Sequence, residues 1–211
     1  MLFVTRRSFA TFFAAALLCF IARAQAGQLT AQPEKSALVI VDAQIGVLST
    51  VWDSARIIRN IESLVAKARA KHVPVFWVQH QDDDELKLGS KSWKLDPHFK
   101  PTANEVVIHK RFNSSFAETD LGSRLKLLGI KRIVLAGAAT NWCIRSTAYA
   151  TLDRGYDLTL VSDAHSTESL NTSDGTVVPA KLIVADLNTV MQWISAPGVK
   201  TEVKPTAEIR F

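Results

Sequence analysis

Three residues in this chain could together perform nucleophilic chemistry: Asp42, Lys110 and Cys143. Each follows a short apolar run. Asp42 closes Ala37-Leu-Val-Ile-Val41 directly, Lys110 follows Val106-Val-Ile108, and Cys143 follows Ile133-Val-Leu-Ala136 through Gly137-Ala-Ala-Thr-Asn-Trp. Taken singly, each has an ordinary structural reading. Asp42 reads as a helix cap or hydrogen-bond acceptor, Lys110 as a solvated edge charge, and Cys143 as a small buried hydrophobe. Taken together they make a workable site without a histidine. A carboxylate can accept a thiol proton, and an ammonium can stabilise both anions. The tight turn before Cys143 sets it in the first turn of the next helix, where unpaired N–H groups and the helix dipole favour a thiolate.

These positions have chemical meaning only if the apolar runs are strands. Ala37–Val41 is a continuous β-rich run, as a strand buried on both faces requires. The pattern then alternates. A helix is predicted from about Ser54 to before Pro74, with Ile57, Ile61, Leu64, Val65 and Ala68 on one stripe. Strands are predicted at 75–78, 106–108, 133–136 and 158–161, with a sixth at 199–203. Helices are predicted at 121–128, 141–154 and 179–195. Strands alternating with amphipathic helices imply an α/β fold, a parallel sheet with helices on both faces. Ligands in such sheets bind beyond the C-terminal strand ends, where the three residues fall. The polar stretch 81–104 reads as a lid or binding loop.

Composition agrees with one globular domain. The 211 residues are 47% apolar and 21% charged, too apolar for a disordered chain. Residues 1–26 read as an export signal: basic Arg6 and Arg7, an apolar stretch from Phe9 to Ala22, and Ala24-Gln25-Ala26 before a cleavage point. Thr5-Arg6-Arg7-Ser8-Phe9 is similar to a twin-arginine signal. The apolar stretch is too short to span a bilayer, so no stable membrane anchor is expected after processing. The expected product is an exported, periplasmic single domain, 27–211. Losing three Arg and no acid takes the formal charge from +5 to +2, which leaves no basic stripe for nucleic acid. Two cysteines exclude a four-cysteine zinc site and a disulfide-stapled scaffold. Cys19 leaves with the signal, so Cys143 has no partner for an internal disulfide.

The motifs Val-Asp42-Ala-Gln44, His109-Lys110-Arg-Phe-Asn-Ser-Ser-Phe116, Gly137-Ala-Ala-Thr-Asn-Trp-Cys143, Asp153-Arg-Gly155-Tyr and Asp163-Ala-His165 run in order over most of residues 36–195. Jointly they resemble the isochorismatase-like cysteine hydrolase superfamily, which includes nicotinamidases, N-carbamoylsarcosine amidases, ureidoacrylate amidases, streptothricin hydrolases and isochorismatases. The resemblance implies a three-layer, Rossmann-like α/β/α fold on a six-stranded parallel sheet. It also implies an Asp42–Lys110–Cys143 triad, a cis peptide at Ala138–Ala139, and an oxyanion hole from the N–H groups of Ala139 and Cys143. The implied reaction is hydrolysis of an amide or carbamoyl C–N bond in a small molecule through a Cys143 thioester, without a cofactor, in a homo-oligomer.

Departures from the family pattern narrow the choice. Metal-dependent nicotinamidases carry Asp-x-His after the second strand, whereas this chain has His80-Gln81-Asp82-Asp83-Asp84, with the order reversed and no further histidine until His98. The acidic run reads as a solvated loop, and no metal is expected. Ether-cleaving isochorismatases often lack the cysteine, so its presence favours C–N hydrolysis; ether hydrolysis and a metal-dependent nicotinamidase-like activity are the alternatives. The stretch from His80 to Trp93 is nearest to the streptothricin-hydrolase-like branch. Gln44 is a candidate to bind a polar substrate group or to cap the helix. Trp93, Phe116 and Trp142 are candidates for an aromatic wall, and His165 for contact with substrate or a neighbouring subunit.

Overall fold

A run with apolar side chains on both faces can leave neither face to water. In the computed structural model, which describes residues 35–211, β1 (Ser36–Val41) is accordingly buried along its whole length. The export signal expected over 1–26 lies outside the described residues. A short helix, α1 (Ile45–Leu48), and the long α2 (Ser54–Ala70) follow, then β2 (Val75–His80) and β3 (Val106–Lys110). Next come α3 (Leu121–Leu127), β4 (Arg132–Ala138), a π-helical turn over Thr140–Ile144, α4 (Arg145–Asp153) and β5 (Asp157–Ser166). The chain closes with a small hairpin of β6 (Leu170–Asn171) and β7 (Val177–Val178), α5 (Ala180–Trp193), and β8 (Thr201–Lys204).

Six strands form one all-parallel sheet in the order β3-β2-β1-β4-β5-β8. Alternate residues of β1 divide the core. Ala37, Val39 and Val41 pack with Phe76, Leu125, Ile133, Ala148, Leu187 and Met191, under α3, α4 and α5. Leu38 and Ile40 pack with Trp77, Val134 and the buried stripe Ile57, Ile61, Leu64, Val65 and Ala68 of α2. Each of the larger side chains, the Val, Leu, Ile, Phe and Met, contributes about 1.5–3 kcal/mol on burial, so the layers hold because both faces are covered. This is the three-layer α/β/α architecture.

Strand order reverses between β1 and β4. β2 and β3 add outward on one side, and β5 and β8 on the other. The crevice at such a reversal is where open α/β sheets bind ligands. Here it lies between Asp42 and the turn that carries Cys143. The two strands approach closely at this point. Gly137 has φ +124°, and a β-carbon there would sit 2.0 Å from the carbonyl oxygen of Val41. Only glycine fits.

One feature differs from the expected pattern. β5 runs to Ser166, past Val161, because its ladder with β4 shifts register between Leu135 and Gly137 and resumes at His165. Asp163, outside the expected strand 158–161, thus lies within β5. Its Oδ1 accepts the N–H and hydroxyl of Thr206, both at 2.7 Å. The stretch 81–104 is docked as a strap on α1. The Ile45 N–H donates to the Lys94 carbonyl and the Gly46 N–H to the Ser92 carbonyl, each at 2.9 Å.

Candidate active site

Asp42 is the first residue beyond β1 and adopts the left-handed conformation, φ +51°, which Asp tolerates better than most residues. Lys110 ends β3, two strands away, and its side chain is fully buried. Cys143 sits in the π-helical turn between β4 and α4, buried. Such turns recur at functional sites. The peptide bond Ala138–Ala139 at the start of this turn is cis.

The three side chains converge on one atom. Lys110 Nζ lies 2.8 Å from Asp42 Oδ2 and 3.2 Å from Cys143 Sγ. Its third neighbour is His80 Nδ1, at 3.1 Å. Burial lowers the ammonium's pKa, but the Asp42 carboxylate and then the Cys143 sulfur outweigh that and raise it overall. The ammonium therefore stays charged. Asp42 Oδ1 is buried and has no hydrogen-bond partner among the described residues. A buried carboxylate oxygen without a partner is costly to keep, and here it is the lone pair available to take a proton.

One expectation is reversed. Burial, followed by the Asp42 charge, pushes the Cys143 thiol up to about 12 against the pull of Lys110. The resting residue is a thiol and not the thiolate expected from its position at a helix start. The short helix end is outweighed by burial and then by the carboxylate beside it.

Asp42, His80 and Cys143 present three potential metal ligands within 4.8 Å of one another. Lys110 Nζ contacts all three, so a cationic group already holds this donor set together. Asp82 Oδ1 accepts the backbone N–H groups of Asp84 and Leu86, at 2.9 and 2.8 Å. These residues do not fit a resident metal.

Three of the expected substrate contacts are structural. Gln44 is fully buried. Its Nε2 donates to the carbonyls of His80 (2.9 Å) and Trp93 (2.7 Å), and its Oε1 accepts the His80 N–H at 2.8 Å, so its amide is committed to the backbone. Phe116 belongs to the core, stacked on Tyr156 with the Arg154 guanidinium 4.7 Å from its ring centroid. This removes Phe116 from the expected aromatic wall. His165 lies inside β5, fully buried, with both ring nitrogens committed to partners within the chain. Its Nε2 meets Asn188 Oδ1 at 3.0 Å and its Nδ1 meets Thr140 Oγ1 at 2.9 Å. Asn188 Nδ2 donates to the Ser162 carbonyl, which leaves Oδ1 as acceptor and makes Nε2 the protonated nitrogen. His165 thus ties the π-helical turn to α5.

Trp142 is half exposed beside Cys143 in the chain. Trp93 is packed edge-on against His109, with its indole N–H buried and unpartnered among the described residues. A cavity of about 560 Å3 opens at Ala139, between α1, the strap and Glu168. It has room for a small molecule.

Burial pushes the His165 imidazole down to about 4, which sets a stability prediction. The unfolded chain takes up its proton near pH 6.5, so stability is complete above that value. It is lost as pH falls from about 6.5 to about 4, by about 3 kcal/mol in all. Urea unfolding across this range is expected to show that slope in the wild type and a flatter one in His165→Gln. Parallel slopes would show that His165 does not carry the effect.

A buried acid, lysine and cysteine in mutual contact at the switch point of a parallel sheet form the arrangement of a cysteine-hydrolase type of site. Residues 36–191 match the isochorismatase domain, and the chain belongs to the isochorismatase family of hydrolases. It is 29% identical over 178 residues to a streptothricin hydrolase of Streptomyces noursei, covering 81% of this chain and 68% of that one. It is 29% identical over 160 residues to the ureidoacrylate amidohydrolase RutB of Cronobacter sakazakii, covering 56% and 69%. An isochorismatase structure from Pseudomonas putida KT2440 superposes with a TM-score of 0.76 at 27% identity, covering 89% of this chain and 97% of that one.

Proposed function

We propose that this hydrolase cleaves an amide or carbamoyl C–N bond in a small molecule through a thioester on Cys143. The observation that carries the reading is the buried Lys110 ammonium in contact with both the Asp42 carboxylate and the Cys143 sulfur. A thiol kept protonated beside a carboxylate attacks by handing over its proton as the S–C bond forms. Asp42 takes that proton, and the N–H groups of Ala139 and Cys143 hold the tetrahedral oxyanion. Asp42 then protonates the departing nitrogen, and the C–N bond breaks to leave the thioester. Water, deprotonated by Asp42, attacks the thioester carbon; the acid leaves and the sulfur regains its proton. Lys110 remains a cation throughout, which balances the charge as it passes between sulfur and carboxylate.

No step calls for a cofactor. The amidohydrolase name of one relative supports C–N over ether cleavage, as does a cysteine in place to attack. Trp93 and Trp142 remain candidates to contact substrate. The reading includes export to the periplasm by the 1–26 signal and a small-molecule amide as the physiological partner, in a homo-oligomer.

The test is a hydrolysis screen over small primary amides, carbamoyl compounds and cyclic amides, read by ammonia release or by mass. Turnover is expected with the wild type, and a loss of roughly a thousandfold or more with Cys143→Ala at unchanged thermal stability. Substantial turnover by Cys143→Ala, or no hydrolysis of any member of these classes, overturns the reading.

A further inference from the structure

The ammonium of Lys110 carries three protons, and the triad uses two of them. We propose that His80 is a positioning residue of this site: its Nδ1 accepts a hydrogen bond from the third Lys110 N–H and so fixes the rotation at which the other two face Asp42 and Cys143. The inference deepens the proposed reaction and rests on that reading for its catalytic meaning, although the contact itself does not.

Topology makes the contact unavoidable. Lys110 leaves β3, and its target, Asp42, leaves β1, with β2 between them. Neighbouring strands lie about 4.8 Å apart, so the lysine must reach across the end of β2 to arrive. His80 is the last residue of β2 and is paired in register with Lys110, which puts both side chains on the same side of the sheet. Whatever occupies position 80 lies alongside the ammonium.

Physical chemistry then selects the side chain. The Lys110 side chain is fully buried, so a third proton without an acceptor would be an uncompensated charged donor, which is costly to bury. An apolar residue at 80 would leave it so. An imidazole supplies one lone pair at 3.1 Å. With Nδ1 accepting, Nε2 bears the ring proton. His80 is itself held from behind, since Gln44 clasps both its N–H and its carbonyl. Burial first, and Lys110 second, hold the His80 pKa below the ordinary value, while Asp42 and Asp82 pull it up and Arg111 adds to the lowering. A neutral ring is the form that can accept. The groups facing the thiol are Asp42 and Lys110, so any loosening of Lys110 weakens the lowering influence on that sulfur.

The test compares His80→Asn, which keeps an acceptor, with His80→Leu, which keeps bulk and loses it. The readout is the rate of Cys143 alkylation by iodoacetamide between pH 7 and 10, on the full chain, with thermal unfolding to confirm the fold. No substrate is needed, so failure here is separable from failure of the amidase reading. In His80→Leu the thiol should shift upward and alkylation slow by roughly three- to tenfold at a given pH, half to one pKa unit. His80→Asn should stay within about twofold of wild type. If His80 only packs, leucine will serve as well as asparagine. Equal profiles for wild type and His80→Leu overturn the proposal, as does an Asn variant that is as slow as the Leu variant. If Leu does not fold, the proposal stands or falls on the ring-nitrogen NMR signals of the wild type. A protonated Nε2 with unprotonated Nδ1 supports it, and the opposite tautomer refutes it.

Discussion

Asp42→Asn is expected to lower turnover by roughly a thousandfold, the scale of a lost general base, while making Cys143 easier to alkylate. The two effects move in opposite directions because Asp42 acts on the sulfur in two ways. Its charge, added to burial, is what holds the thiol up at about 12. Asparagine has nearly the same shape and can still accept from Lys110, but it carries no charge. The thiol then feels burial and the ammonium alone, and its pKa falls. At a fixed pH below that pKa, each unit of the fall raises the thiolate fraction, and with it the alkylation rate, about tenfold. Asparagine cannot take the thiol proton, so the more reactive sulfur turns over less. Iodoacetamide kinetics and substrate kinetics on the same preparation decide the point. An Asn variant that alkylates no faster than wild type would mean that the carboxylate does not govern the sulfur.

Gly137→Ala is expected to destabilise the domain by at least about 3 kcal/mol, combining overpacking with backbone strain. The added carbon would fall 2.0 Å from the Val41 carbonyl oxygen and 2.7 Å from its nitrogen, and both are backbone atoms of the neighbouring strand. Neither can rotate aside as a side-chain tip would. The φ of +124° is itself closed to alanine. For a domain of this size the loss corresponds to a fall in Tm of about 10 °C, read by calorimetry. Asp42 follows Val41 directly, so any protein that folds does so with β1 displaced and the base moved. Turnover should fall further than stability alone explains. A wild-type Tm in Gly137→Ala would refute the close approach.

Much of this is legible in the sequence, for physical reasons. Ala37–Val41 and Ile133–Ala136 read as strands because burial on both faces leaves no polar alternation to confuse with a helix. Asp42, Lys110 and Cys143 are conspicuous because a charged or reactive residue ending such a run has no packing role. The residues that read differently share a cause. Proximity along the chain to these motifs suggests substrate contacts for Gln44, Phe116 and His165, yet their partners are distant in sequence. Gln44 bonds residues 36 and 49 positions away, and His165 bonds Thr140, 25 positions away. Polarity announces that a buried side chain needs partners but does not name them. In sequence, His80 reads only as a metal ligand or loop residue. Its pairing with Lys110 depends on the β2–β3 register, which the long intervening strap leaves open until the sheet is seen. The protonation state of Cys143 is hidden for a related reason: the helix start is visible in sequence, whereas the balance between a neighbouring carboxylate and an ammonium requires distances.

The amide of Gln44 has a consequence for exchanging parts among relatives. One side chain holds the end of β2 and, through the Trp93 carbonyl, the strap of residues 81–104. The strap is therefore not a detachable module. A chimera that imports this segment from another hydrolase inherits a fastener whose other half lies outside the graft, at position 44. Transplanting substrate preference by loop grafting would require residue 44 and the last residues of β2 to travel with the loop, as a single non-contiguous cassette.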